Sequence, residues 1–263
     1  MSSGAVRLDL LDTVAYLTIA NEARLNAMSM EMWKALAAHV EALDARDDIR
    51  AVVLRGEGRR AFVSGADISE FTALRSGADA VRAYDALVER AQAALEQCRH
   101  PVIAAIQGFC LGGGIGLALS CDLRYAARGS RFRMPAARLG LGYGFRGMHR
   151  AVALLGSANA TEMFFTARDY DGTEAARIGL VHECFNDEDF ERAIETLVAR
   201  VASNAPLTLR AAKLAIRQAT ALQPSSEVLA EMAHSVQTCF ASRDYAEGQR
   251  AFAAKRSPVF HGA

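Results

Sequence analysis

Two short glycine turns constrain this chain more than any other feature. The first covers residues 63–68 (VSGADI) and follows two apolar runs at 51–54 and 61–62. The second covers residues 111–116 (LGGGIG) and follows the apolar run 102–106. Each turn is predicted to lead from strand into helix, and repeated strand–turn–helix units are typical of an α/β fold.

The rest of the chain extends this pattern. A strand is predicted over 14–19 and a further one near 181–184. Ser29 is a predicted N-cap for a helix of about sixteen residues, and a later helix is predicted to end near Gly156. Beyond residue 187 the sequence predicts helices only. We therefore expect a core over residues 1–200 and a C-terminal helical region over 201–263.

Composition excludes several classes of protein. The chain has 30 basic and 30 acidic residues among 263, so no net charge attracts nucleic acid or an anionic membrane. The five cysteines show no CxxC spacing, so we expect neither a metal site nor a disulfide framework. No signal-peptide pattern and no long apolar run are present, which predicts a cytoplasmic protein outside the membrane.

The glycine turns also suggest chemistry. A turn that opens a helix exposes backbone N–H groups without helical partners, and such donors bind negative charge. Two turns meeting at one point would form an oxyanion hole for a carbonyl oxygen. A P-loop is disfavoured because no Gly-Lys-Ser/Thr follows, and a Rossmann turn is disfavoured by its late position. A purely structural role for the triple glycine stays open.

Several segments resemble the enoyl-CoA hydratase/isomerase (crotonase) family, in order and over essentially the whole chain. They are residues 61–68 (AFVSGADI), 100–108 (HPVIAAIQG), 112–114 (GGG), 121–123 (CDL), 175–181 (AARIGLV) and 252–260 (FAAKRSPVF). The resemblance implies a spiral of ββα turns with C-terminal helices that pack on neighbouring subunits, as a trimer or a dimer of trimers.

The resemblance also implies a substrate and its contacts. Family members bind an acyl-CoA thioester and hold its carbonyl between two backbone amides, which match Ala66 and Gly113 here. Coenzyme A enters as part of the substrate, and no metal or other cofactor is implied. The positions that match CoA-binding residues are Arg24, Leu25, Ala27, Ser64, Ala66, Asp67 and Ile68, with Phe252 and Lys255 reaching a neighbour's CoA.

Two positions depart from the family pattern. Hydratases of the family use two glutamates as general acid and base, and the matching positions here are Gly116 and Ala136. One hypothesis is that Gly116 makes room for a bulkier acyl group. Tyr143 matches a tyrosine of the methylmalonyl-CoA decarboxylase branch and is the candidate catalytic side chain. That branch, however, carries a histidine where this chain has Ala66.

The sequence therefore predicts an acyl-CoA enzyme of the enoyl-CoA hydratase/isomerase family that stabilises a thioester enolate. One alternative is an acyl-CoA decarboxylase that uses Tyr143. Another is a non-catalytic acyl-CoA-binding subunit. Arg146 and His149 are weaker candidates to meet a substrate carboxylate or donate a proton, and Glu70 is a weaker candidate as a replacement carboxylate.

Overall fold

The computed structural model describes residues 4–67, 78–139, 141–219 and 226–263. Its larger sheet has six strands in the order β1-β2-β3-β5-β7-β10. All neighbours in this sheet pair in parallel except β1 and β2, which form an antiparallel hairpin. The strands are β1 (Ala5–Leu11), β2 (Val14–Ala20), β3 (Ala51–Gly56), β5 (Val102–Ile106), β7 (Leu123–Ala127) and β10 (Glu183–Phe185).

A second sheet has four strands in the order β4-β6-β8-β9, with only β8 and β9 antiparallel. These strands are β4 (Ala61–Val63), β6 (Phe109–Leu111), β8 (Arg131–Arg133) and β9 (Tyr170–Asp171). Consecutive strand pairs alternate between the sheets: β3 is followed by β4, β5 by β6 and β7 by β8. Each pair is followed by helical structure, so the predicted succession of ββα turns is confirmed.

Nine α-helices lie in the described ranges, with 3-10 turns at Glu22–Arg24 and Ala136–Leu139. They are α1 (Met30–Asp44), α2 (Ala78–Gln97), α3 (Gly113–Leu119), α4 (Phe145–Thr166), α5 (Gly172–Arg177), α6 (Phe190–Ala202), α7 (Pro206–Ala219), α8 (Ser226–Ala241) and α9 (Arg243–Ala253). The Ser29 side chain caps α1 by accepting from the Met32 N–H at 3.3 Å, as predicted. None of these helices is both long and apolar enough to cross a membrane.

The helix end predicted near Gly156 is confirmed. Gly156 adopts a non-helical φ of 72° and ψ of 162°, so the first helical stretch of α4 ends there and a second one, at an angle to it, runs on to Thr166. The two apolar runs before the first glycine turn lie in different sheets. Residues 51–54 belong to β3, and residues 61–62 belong to β4 in the second sheet.

The core lies where the strands pack against helices α1 to α5. Its largest fully buried side chains include Trp33 of α1, Phe62 of β4 and Phe132 of β8. Trp33 donates its indole N–H to the Tyr84 hydroxyl at 3.0 Å, which joins α1 to α2. This packing fixes the floor beneath both glycine turns.

Candidate functional site

The first glycine turn is hydrogen-bonded to the loop that precedes α1. The Met28 N–H donates to the Gly65 carbonyl at 2.8 Å, and the Asp67 N–H donates to the Met28 carbonyl at 2.9 Å. The Ser64 N–H donates to the Leu25 carbonyl at 3.1 Å. The structure thus brings the predicted CoA-binding loop, residues 24–27, beside the predicted carbonyl-binding turn.

Two side-chain contacts reinforce this junction. The Arg24 guanidinium pairs with the Asp67 carboxylate at 2.5 Å, and the Ser64 hydroxyl donates to the Arg24 carbonyl at 3.3 Å. About half of the Arg24 side chain remains exposed. A cation therefore stands at the edge of the turn, on the side that solvent reaches.

Asn26 anchors the same loop from below. It is fully buried with a φ of 55°, a left-handed conformation that asparagine tolerates better than most residues. Its amide donates to the Ala61 carbonyl at 2.7 Å and to the Glu57 carbonyl at 3.0 Å. Its Oδ1 accepts from the Asn21 N–H at 3.0 Å. The loop geometry therefore depends on one buried amide, which the sequence analysis did not single out.

The second glycine turn lies directly against the first. A Cβ built on Gly113 would lie 3.8 Å from the Gly65 Cα and 3.2 Å from the Trp33 ring. A Cβ on Gly114 would meet the Val63 carbonyl oxygen at 2.3 Å. Glycine is required at position 114, because a side chain there would collide with the Val63 carbonyl of the first turn. At position 113 a Cβ would press on the Trp33 ring and make only ordinary contact with Gly65.

Sheet register explains why the two turns meet. Strands β4 and β6 are parallel neighbours, and Val63 pairs with Cys110. Ala66 lies three residues beyond Val63, and Gly113 lies three residues beyond Cys110. The two positions predicted to supply backbone donors are therefore at matching points past the ends of adjacent strands.

Neither of these two N–H groups bonds to another group of the described residues. The bonds that join Met28 to the first turn use the N–H groups of Met28 and Asp67, not that of Ala66. Gly113 is the first residue of α3, where an N–H has no partner within the helix. Within the described ranges, no hydrogen bond from either group is found.

The space beside Gly116, where a family hydratase would carry a glutamate, is occupied. A Cβ on Gly116 would lie 2.3 Å from the Gln92 Nε2 and 3.2 Å from the Tyr143 hydroxyl. The hypothesis that Gly116 opens room for a bulkier acyl group is therefore wrong. Side chains from α2 and from the loop before α4 fill that room.

Gln92 belongs to a polar network centred on Arg150, which is buried at 6% exposure. The Arg150 Nη1 donates to the Gln92 Oε1 at 3.0 Å. The same guanidinium donates to Glu96 at 2.8 and 3.0 Å and to Glu89 at 3.0 Å. Glu89 and Glu96, the two carboxylates of this network, are thus paired with Arg150.

Tyr143 is half-buried, and its ring packs edge-on against Phe164 at 4.9 Å between ring centroids. Gly147 permits this position, because a Cβ there would lie 2.4 Å from the tyrosine ring. Burial raises the pKa of the Tyr143 hydroxyl to about 12, with Arg150 lowering it and Glu89 raising it. The phenol stays protonated at neutral pH and can donate a hydrogen bond.

The second missing glutamate leaves a small buried residue in its place. Ala136 begins the 3-10 turn Ala136–Leu139, and the adjoining Pro135 lies 3.6 Å from the Cβ position of Gly112. The segment is tied to the second glycine turn because the Gly112 N–H donates to the Arg133 carbonyl at 3.0 Å. Position 136 thus adjoins the site but offers no titratable group.

Other predicted residues lie further from the turns or outside the described ranges. Arg146 is exposed, 3.8 Å from Glu89, and His149 is half-buried beside the Phe145 ring. Ile68 and Glu70 lie outside the described residues.

The C-terminal residues predicted to reach a neighbour's CoA follow the last helix. Lys255 is exposed, with a φ of 52°, just beyond α9. Phe252 lies within α9, and its side chain is outside the described part of the structure. The following tail folds back on α9, since the buried Asp244 accepts from the N–H groups of His261 and Gly262 at 2.7 and 2.8 Å.

A cavity of about 620 Å³ lies elsewhere, between the β1–β3 face of the larger sheet and α6. Its lining includes Arg7, Tyr16, Arg55 and Phe190, but no residue of either glycine turn. The candidate site is therefore defined by the backbone donors and the Gly116 environment rather than by this cavity.

Comparison with known proteins decides the family. The enoyl-CoA hydratase/isomerase family model matches residues 10–263. The chain belongs to the enoyl-CoA hydratase/isomerase family. A short-chain-enoyl-CoA hydratase of Clostridium acetobutylicum is 34% identical over 249 residues, covering 92% of each chain. A crystal structure of an enoyl-CoA hydratase/carnithine racemase from Magnetospirillum magneticum superposes with a TM-score of 0.93, at 35% identity over 100% of this chain and 97% of that one.

Relatives in this enoyl-CoA hydratase/isomerase family carry names of different reactions. A peroxisomal Δ(3,5)-Δ(2,4)-dienoyl-CoA isomerase of Arabidopsis thaliana is 31% identical over 219 residues, covering 79% of this chain and 78% of its own. Family membership therefore does not select one reaction. The side chains around Gly116 are the part of the site that can distinguish one of these reactions from another.

Proposed function

We propose that this family member processes acyl-CoA thioesters and holds the thioester oxygen between the N–H groups of Ala66 and Gly113. The supporting observation is that two backbone donors, neither with a partner among the described residues, lie on adjacent turns that contact each other. Preorganised donors aimed at a developing oxyanion stabilise it strongly, because they need no reorganisation during the reaction. The charge stabilised would be that of a thioester enolate.

The CoA moiety would then lie along the first turn and the loop before α1. In this proposal Arg24, Leu25, Ala27, Ser64, Asp67 and Ile68 contact CoA, and the Arg24 guanidinium faces a phosphate. Arginine suits phosphate recognition because its planar donors match phosphate oxygens. Phe252 and Lys255 would complete the CoA site of a neighbouring subunit in a trimer or dimer of trimers.

The reaction is proposed to differ from two-glutamate hydration. Direct hydration needs an acid and a base within about 3 Å of the reacting water or one water away. Positions 116 and 136 carry no carboxylate, and Glu89 and Glu96 are paired with Arg150. The protein therefore contributes enolate stabilisation, while Gln92 and Tyr143 provide hydrogen bonds rather than a base.

Decarboxylation is the second candidate, and the protonated Tyr143 beside Gly116 favours it. When the C2–carboxylate bond of a malonyl-type thioester breaks, its electron pair moves into the enolate and CO2 leaves. A proton then adds to C2. No general base is needed, which fits the amide of Gln92 and the phenol of Tyr143 as the polar groups described beside Gly116.

Mass spectrometry of acyl-CoAs after incubation with the protein tests the proposal. Crotonyl-CoA that gains water would establish hydration, and methylmalonyl-CoA that loses CO2 would establish decarboxylation. If every thioester binds and none changes, a binding subunit without catalysis replaces the enzyme.

A backbone substitution tests the oxyanion hole itself. Ala66→Pro removes an N–H that makes no hydrogen bond within the described ranges, so turnover should fall by about 10²–10³. Ala66→Gly keeps that N–H and is the matched control. Equal loss in both variants would contradict a role for the Ala66 donor.

A further inference from the structure

The orientation of the Gln92 amide is determined by its neighbour. Arginine donates hydrogen bonds and accepts none, so the atom facing the Arg150 Nη1 at 3.0 Å must be the Gln92 Oε1. The NH2 group consequently faces the opposite way, toward Gly116. Arg150 thus orients the Gln92 NH2 group toward the candidate site, although the guanidinium itself lies outside the site.

Two polar atoms converge there without partners. Gln92 is only 4% exposed, yet its Nε2 has no hydrogen-bond acceptor among the described residues. The Tyr143 hydroxyl, near the same Cβ position of Gly116, makes no hydrogen bond within the described ranges either. Neither atom is among the fully enclosed polar atoms that lack a partner in the described structure, so both can be reached by an acceptor supplied from outside the chain, with which they can form hydrogen bonds.

The helical spacing in α3 indicates which atom of a bound substrate would carry this hydrogen-bond acceptor. Gly116 is three residues beyond Gly113, on the same face and about 4.5 Å further along the helix axis. A thioester whose oxygen contacts the Gly113 N–H would carry its next carbons past Gly116. The atoms facing Gln92 and Tyr143 would then be substituents of C3.

We propose that Gln92, together with Tyr143, recognises an oxygen acceptor on C3 of the acyl group, as in a 3-oxoacyl or malonyl-type thioester. This inference rests on the proposed function, because it assumes the thioester oxygen at Ala66 and Gly113. A saturated acyl chain leaves both donors unpaired and is bound less tightly. Gln92 is thus a specificity residue of the site.

The surrounding charges explain why the recognition depends on hydrogen bonding. Arg150 is paired with Glu89 and Glu96, and Arg146 lies 3.8 Å from Glu89. These four groups sum to no net charge. The protonated phenol of Tyr143 adds a neutral donor. Both a neutral 3-oxo group and a carboxylate therefore meet the same donors.

Calorimetric titration with three thioesters tests the inference. The probes are butyryl-CoA, 3-oxobutyryl-CoA and malonyl-CoA, with each recovered ligand checked by mass spectrometry. The wild-type protein should bind at least one oxygenated thioester about tenfold or more tightly than butyryl-CoA, the value of one hydrogen bond at the upper end. Whichever of 3-oxobutyryl-CoA and malonyl-CoA binds more tightly identifies the recognised group as a 3-oxo group or a carboxylate.

The decisive variant is Gln92→Glu, which keeps the shape and the Arg150 contact but replaces the donor with an acceptor. Its ratio of affinities for oxygenated and saturated thioesters should fall to about one. Gln107→Glu makes the same chemical change in the distant cavity and should keep the wild-type ratio. Gln92→Met repeats the measurement with an apolar side chain, so the test does not depend on one variant folding.

The outcomes separate this inference from the function on which it rests. If the wild-type protein binds all three thioesters equally, or Gln92→Glu and Gln92→Met keep the preference, Gln92 is not a specificity residue and the inference is overturned. Neither result affects the proposed oxyanion hole. If butyryl-CoA and both oxygenated thioesters fail to bind, the proposed function itself is wrong.

Discussion

A methyl group added at Gly116 should destabilise the protein, although alanine is the better helix former. The added Cβ would lie 2.3 Å from the Gln92 Nε2, closer than any real contact. Gln92 must then move, and moving it breaks the hydrogen bond from Arg150 at 3.0 Å. The substitution thus tests whether Gln92 is held in place or simply fills space.

The magnitude follows from two opposing contributions. Replacing glycine by alanine inside a helix stabilises by about 1 kcal/mol. Losing a hydrogen bond to a charged group costs about 1.5–3 kcal/mol. Gly116→Ala should therefore lower the free energy of unfolding by about 0.5–2 kcal/mol. In a Gln92→Ala background the collision is absent, so the same methyl should stabilise by about 1 kcal/mol.

Urea unfolding of the four proteins in this cycle measures the coupling between the positions. Trp33 is the single tryptophan, buried beneath Gly113, and its fluorescence reports on this part of the core. We expect a coupling of about 1.5–3 kcal/mol. Gly142→Ala, where a Cβ meets nothing within 4 Å, is the control and should stay within about 0.5 kcal/mol of wild type. A coupling near zero would refute the argument that Arg150 fixes Gln92.

Three further predictions concern the framework of the site. Asn26→Ala removes three hydrogen bonds, one of them buried and two partly buried, and should cost about 3 kcal/mol of unfolding free energy, with weaker CoA binding seen by calorimetry. Burial lowers the pKa of His100 from 6.5 to about 4, so the folded state favours the neutral ring. Its stabilisation is complete above pH 6.5 and falls toward pH 4, by about 2 kcal/mol between pH 8 and pH 5. His100→Gln should reduce this part of the pH dependence in urea unfolding, and an unchanged profile would contradict it. Asp244→Asn should loosen the C-terminal tail, with faster amide hydrogen exchange at His261 and Gly262 and no change at Asn26.

Local sequence patterns predicted the scaffold well because the relevant constraints are local. The glycine turns, the strands before them and the Ser29 cap each depend on residues adjacent in sequence. The resemblance to a known family predicted that strands would alternate with helices in a spiral, and the fold confirms it. The successive ββα units do not produce a fixed period in the sequence, because β3, β5 and β7 are unequally spaced along the chain.

The side chains around Gly116 could not be predicted in the same way. Gln92 reaches Gly116 from the middle of α2, and Arg150 reaches Gln92 from α4, so the contacts join three separate segments. One signal was available. Glycine inside a tightly packed helix indicates that something else occupies the space, and we interpreted that space as empty. Tyr143 was selected by resemblance, and its position beside Gly116 is a finding of the structure, while its catalytic role stays a prediction.

The pairing of Val63 with Cys110 bears on the distance between the two N–H donors of the proposed oxyanion hole. Adjacent strands in a sheet lie about 4.8 Å apart, and two N–H donors that share one oxygen at about 2.9 Å are separated by a similar distance. Both donors lie three residues past a paired position of adjacent strands, so we expect the gap between them to follow the inter-strand spacing. A slip of β6 by one residue would shift the Gly113 N–H relative to the Ala66 N–H and should abolish the proposed hole. The accuracy that the proposed hole needs would then depend on one of the most regular dimensions found in proteins.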